Sequence, residues 1–139
     1  LHYTQLNKIV VWGSTNVTSN DSLRFNSLSI EMRDAAGDVN LTFSNNSIFI
    51  AQHTGANDVI LQGKTKNLSV YSADLGHGDY RKLIAENVFA ESNSVADNYF
   101  NATETIRLIT RNIGSMYYIG EADVLLADRK GEGTISRIY

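Results

Sequence analysis

A chain of 139 residues with 42% apolar content is long enough for one domain with its own core. Its 12 basic and 15 acidic residues give a net charge of -3 and are scattered without long runs, so it lacks the concentrated basic face that nucleic-acid binding requires. No stretch approaches the roughly 18 consecutive apolar residues of a membrane helix, and the absence of cysteine excludes disulfides and thiolate metal sites.

The start carries no signal-peptide pattern. Leu1 stands where an initiator would, so the expectation is a mature or trimmed product whose export signal or anchor was removed earlier. The richness in Asn, Ser and Thr leans extracytoplasmic. Asn-x-Ser/Thr triplets such as Asn40-Leu41-Thr42 and Asn67-Leu68-Ser69 would be glycan acceptors only in a eukaryotic secretory pathway and are read here as composition.

Residues 1–27 read as a degenerate first coil: Ile9 and Val11 form an apolar pair, a bend follows at Gly13 to Asn16, and Leu23 and Phe25 precede Leu28. Trp12 is expected as a rim aromatic covering an open strand edge. From 28 to 135 the chain keeps a beat. Apolar pairs two residues apart begin at 28, 48, 68, 88, 106 and 124: Leu28/Ile30, Ile48/Ile50, Leu68/Val70, Val88/Ala90, Ile106/Leu108 and Val124/Leu126. After each comes a polar bend and a turn cluster, among them Gly37-Asp38-Val39, Asn57-Asp58-Val59, Gly78-Asp79-Tyr80, Asp97-Asn98-Tyr99, Gly114-Ser115-Met116-Tyr117 and Gly133-Thr134-Ile135.

A repeat of 18–20 residues is a solenoid signature, because each unit buries its apolar face only against its neighbours. The apolar runs alternate over three to five residues, which is strand periodicity. The connections are too short for crossover helices, so equivalent strands must stack in parallel. The expected fold is all-β: a single-chain parallel β-helix (β-solenoid) of about six to seven coils, with 1–139 as one domain. The absence of proline fits uninterrupted ladders. Tyr80 to Ala90 has good helix propensity, but Val88 keeps the repeat register, so a strand is expected there.

Aligned repeats form columns along the rod. Arg33, His53, Ala73, Asn93, Arg111 and Arg129, five residues after each leading position, form a polar column expected to be solvated. The turn column holds Asp38, Asp58, Asp79 and Asp97, which stabilise bends by bonding nearby backbone. A calcium role would need the nine-residue, glycine-doubled repeat that is missing here. A third column carries Tyr80, Tyr99-Phe100 and Tyr117-Tyr118. Adjacent residues of a strand point to opposite faces, so one of each pair is core and the other exposed. Tyr80, Phe100 and Tyr118 are taken as the candidate ligand-stacking row.

No catalytic constellation stands out. His2, His53 and His77 lack metal-ligand spacing, there is no nucleophile elbow, phosphate loop or dinucleotide fingerprint, and paired carboxylates such as Asp58 with Asp79 arise by chance in any stacked repeat. Catalytic residues, metal ligands and cofactors are therefore expected to be none.

The Leu-x-Ile pairs followed by Ala36-Gly37-Asp38-Val39, Gly55-Ala56-Asn57-Asp58-Val59-Ile60-Leu61-Gln62-Gly63 and Gly76-His77-Gly78-Asp79 resemble the repeats of the putative auto-transporter adhesin, head GIN domain family. The closing Ile113-Gly114-Ser115-Met116-Tyr117-Tyr118-Ile119-Gly120 is similar to its terminal glycine and paired-aromatic segment. The resemblance spans residues 5–137 and departs at Glu121-Ala122, where the family often has proline. It implies a parallel β-helix exported to the envelope or surface of bacteria, commonly Bacteroidetes, without established catalytic residues. The functional expectation is a noncatalytic binding or scaffold module, adhesin-like, whose partner is a cell-surface glycan or a protein. The alternatives are a structural β-helix that self-associates end to end and, last, a carbohydrate-active enzyme.

Overall fold

The computed structural model describes residues 8–13, 16–19, 21, 24, 26–35, 37–56 and 58–138. His2, Leu23, Phe25, Ala36 and Asn57 of the sequence reading lie outside that set. The described residues form ten strands: β1 (Lys8–Gly13), β2 (Val17–Thr18), β3 (Ser27–Ala35), β4 (Val39–Gln52), β5 (Asp58–Asp74), β6 (His77–Ser94), β7 (Asn98–Thr110), β8 (Met116–Ile119), β9 (Asp123–Arg129) and β10 (Ile135–Arg137). Every pairing is parallel, each strand to its counterpart one coil on. The result is a β-solenoid of about six turns. No helix among the described residues is long and apolar enough to cross a membrane, and Tyr80 to Ala90 lies within β6.

Register explains the core. Leu28, Ile48, Leu68, Val88 and Ile106 stack in one inward column, and Ile30, Ile50, Val70, Ala90 and Leu108 in the next. All ten are buried. Their neighbours in sequence point out, as a period of two requires.

The third inward column changes from apolar to polar: Met32, Gln52, Ser72, Ser92 and Thr110. Here the chain bends, and the bend carbonyls turn inward. The Ser72 hydroxyl donates to the Gly76 carbonyl (3.0 Å), that of Ser94 to the same oxygen (2.8 Å), and that of Thr110 to Gly114 (2.8 Å). Buried hydroxyls thus satisfy carbonyls that no ladder reaches. The bends themselves take left-handed backbone at Asp34 and Asp74, where φ is 48° and 58°. Asp tolerates this conformation, and Asp74 Oδ2 also accepts from the Gly55 N–H at 2.9 Å.

The last coil departs from the repeat. A bulge in β9 sets Ile106 against Val124 but Arg107 against Leu126, so Leu125 is an extra residue. Arg129 consequently pairs with Thr110 and leaves the Arg111 column in which the sequence alignment put it. Val124 is 44% exposed, whereas Ile106 beneath it is 0%. At the other end Trp12 is 56% exposed and follows the buried Val11.

Tyr80 and Asn98 bring polar atoms into the core. The Tyr80 hydroxyl and both amide atoms of Asn98 are buried without a hydrogen-bond partner among the described residues. A stranded hydroxyl costs about 1–3 kcal/mol of desolvation. Tyr80→Phe is therefore expected to leave the urea midpoint unchanged or raise it. A loss above about 1 kcal/mol would show that the hydroxyl holds a bond in the folded state.

Candidate functional site

The structure puts Tyr80, Phe100 and Tyr118 in one column, and that column faces inward. Each follows by two residues an inward position, Gly78, Asn98 or Met116, and a period of two keeps them inside. Tyr80 and Phe100 are fully buried and stack with centroids 5.4 Å apart, and Tyr118 packs against the same core. Burial holds the Tyr80 phenol protonated far above its ordinary range. Tyr80 and Phe100 are therefore structural and out of a ligand's reach, which corrects the sequence reading of them as a stacking row.

The exposed aromatics are their neighbours. Tyr99 pairs with Tyr117 one coil on, both partly exposed, with ring centroids 5.3 Å apart and planes at 23°. The guanidinium carbon of Arg81 lies 4.6 Å from the Tyr99 ring centre, on the side that faces the preceding coil. His77 meets the same ring edge-on at 5.9 Å, and its Nδ1 bonds the Asp97 carbonyl. Asp79 grips Arg81 by two bonds, Nε to Oδ1 at 2.9 Å and Nη2 to Oδ2 at 2.7 Å, and also accepts from the Arg81 N–H. Asn101 Nδ2 donates to the Arg81 carbonyl at 3.0 Å. A preorganised stack of cation and two aromatic rings thus stands on the outer wall.

The Arg81 hydrogen bonds hold the Asp79 carboxyl below its ordinary value of 3.8, against an opposing push from partial burial. A depressed folded value means that the group stabilises the fold above the unfolded pKa, and that this contribution is lost as pH falls through the folded one. The pair is partly solvated, so its contribution is at most about 1 kcal/mol. Asp79→Asn is expected to lower the urea midpoint slightly near neutrality. The difference from wild type should close below pH 3.8, and a difference that persists there would show that the effect is not electrostatic.

In the turn column polar side chains bond the backbone of the neighbouring coil, Asp97 being the one of the four aspartates in the sequence reading that does so from within the column. Asp38 donates its N–H to Asn16 Oδ1 (2.9 Å), Ser115 to Asp97 Oδ1 (2.8 Å) and Thr134 to Ser115 Oγ (3.0 Å). Asp79 is not in this column: Asp58 pairs with His77, while Asp79 pairs with Tyr99. Among the described residues no group of three or more His, Asp or Glu side chains is placed to hold a metal ion.

The sequence showed both aromatic pairs. Tyr99 and Tyr117 each immediately follow a residue that the structure buries, Asn98 and Met116. Only the register decides which of two adjacent aromatics faces out.

Parallel coils stacked on an apolar core define a β-solenoid. The family model of the putative auto-transporter adhesin, head GIN domain, matches residues 1–122, and the chain belongs to that family. The chain is similar to the crystal structure of a putative adhesin from Bacteroides fragilis NCTC 9343, with a TM-score of 0.89 and 30% identity over 96% of this chain and 61% of that one. It also superposes on a putative adhesin from Parabacteroides distasonis ATCC 8503 with a TM-score of 0.84, at 16% identity, over 94% of this chain and 55% of the other. The chain thus spans less than two thirds of either solved relative. No curated protein matches it.

Proposed function

We propose that the domain is a noncatalytic binding module of the bacterial envelope or surface that recognises a glycan or a protein along one wall of its rod. The observation that carries this is the outward Arg81–Tyr99–Tyr117 stack. Rings held this way are already ordered, so a ligand that covers them gains apolar and cation–π contact at little further entropic cost. Membership of a family described as adhesin supports the surface location and the binding role.

The test is a glycan-array screen of the purified domain, repeated with Tyr99→Ala and Tyr117→Ala. Saturable binding that both substitutions abolish supports the reading. Binding that survives both moves the site elsewhere on the rod. A blank array turns the search to protein partners, for which surface-protein pull-downs with the same variants are the assay.

A second reading, end-to-end self-association, is favoured by the last coil. Val124 and Leu125 are exposed apolar residues there, and among the described residues β9 pairs with β7. Sedimentation across a concentration series separates the two: filaments that Val124→Lys disperses support assembly, and a monomer at all concentrations rejects it.

A further inference from the structure

A second outward column of the rod also carries aromatic residues. Phe49, Ser69 and Phe89 are direct partners in successive coils, so they stand in one outward column. Both phenylalanines are large apolar side chains left in solvent, 41% and 42% exposed. Between them the middle rung holds only a serine.

The size of the resulting gap follows from the fold. Coils repeat at about 4.8 Å, so the two phenylalanine backbones lie about 9.6 Å apart. Elsewhere in this rod, aromatics one coil apart stack ring on ring: Tyr99 on Tyr117 at 5.3 Å and Tyr80 on Phe100 at 5.4 Å. One coil step therefore accommodates one ring. Omitting a ring at Ser69 leaves a slot one ring thick, walled by Phe49 and Phe89 and floored by a hydroxyl.

At the level of Ser69 the flanks of the slot are polar. On one side the column Ser47, Asn67, Asn87 runs along the rod, with Asn87 Nδ2 donating to Asn67 Oδ1 at 3.2 Å. On the other side, two residues along the strand, stands Tyr71, half-buried and in ring contact with His53 at 6.0 Å. Of the charges nearby, Glu91 pairs with Arg111 and Glu31 with Lys8 at 3.3 Å, while Arg107 stands beyond Phe89, on the far side from Ser69. On the rung of Ser69 itself the outward neighbours, Asn67 and Tyr71, are an amide and a phenol. A neutral ligand with two apolar faces and a polar rim fits both the walls and the flanks.

We propose that the Phe49–Ser69–Phe89 slot is a binding site for one neutral pyranose ring of a glycan, separate from the tyrosine stack. The C–H faces of the sugar lie against the two phenylalanine rings. Its hydroxyls meet the Ser69 hydroxyl and the Asn67 amide, which offer both donors and acceptors. The pyranose is chosen over an apolar peptide side chain because the floor and one flank are polar. Such a side chain would desolvate these groups without replacing their bonds.

The discriminating substitution is Ser69→Phe. It adds exposed aromatic surface and extends the phenylalanine column, yet fills the slot. The probes are the methyl glycosides of glucose, galactose and mannose and of N-acetylglucosamine, with methyl glucuronide as the charged control, followed by saturation-transfer NMR on the whole domain. At least one neutral glycoside is expected to bind more tightly than the glucuronide. Phe49→Ala, Phe89→Ala and Ser69→Phe are each expected to weaken it about tenfold or more, while melting temperatures show that all three variants fold. Tyr99→Ala is expected to leave this binding intact, which separates the slot from the tyrosine stack. Unchanged or improved binding by Ser69→Phe would overturn the slot, as would tighter binding of the glucuronide or no binding by any of the neutral probes. None of these results would touch the reading of the tyrosine wall, whose test uses different residues.

Discussion

Ile50→Asp is expected to unfold the domain. Ile50 is completely buried and stacks between Ile30 and Val70, both also in the core. A carboxylate placed there has no cation or donor in its column, so it must either stay ionised in an apolar layer or take up a proton and still strand two oxygens. The cost is about 4–5 kcal/mol or more, comparable to the whole stability of a small domain, about 5–15 kcal/mol. Far-UV circular dichroism during urea titration should show either no folded baseline or a midpoint displaced far downward. Phe49→Asp, one residue earlier, is the control. Its side chain points to solvent, and the change should cost under about 1 kcal/mol. Similar effects at the two positions would refute the inward and outward assignment on which every column rests.

Gly63→Ala should be nearly as damaging, for a different reason. Gly63 takes φ of +108°, a conformation that side chains rarely adopt, and a Cβ there would overlap the carbonyl of Phe43 in the coil below. Phe43, Gly63 and Leu83 are ladder partners, so the glycine lets the backbone pass between two large buried side chains. Strain in the backbone costs about 1–3 kcal/mol and overpacking a further 1–3 or so, for about 2–6 kcal/mol in total. Gly13 separates the two contributions. Its φ is +65°, but no described residue lies within 4 Å of the added carbon, so Gly13→Ala should show only the backbone part, about 1–2 kcal/mol. Equal losses at Gly13 and Gly63 in the same urea titration would mean that the close approach to Phe43 contributes nothing.

The binding row shows where sequence reasoning reached its limit. Period-two alternation allowed only that one of Tyr99 and Phe100 faces out, and one of Tyr117 and Tyr118. Choosing between them needs the inward or outward sense of each strand, and that sense is carried from coil to coil by hydrogen-bond register. The register shifts once between Ile60 and Gln62 and again beyond Asp79, so matching turn motifs by eye pairs Asp58 with Asp79 when its partner is His77. That error of two residues keeps the facing, but an error of one turns a core ring into a surface ring.

The amino-acid sequence by itself determined the architecture: parallel coils, no helix, and a core column from Leu28 to Ile106. Those features depend on local alternation and on a repeat length that leaves no room for other connections, and both can be counted along the chain. Only the tertiary structure decided which aromatics meet solvent, that Val124 is exposed where Ile106 is buried, and that Phe49 and Phe89 stand two coils apart across a serine. These depend on bulges and on what stacks above and below, contacts between residues about 20 apart whose register no single strand encodes.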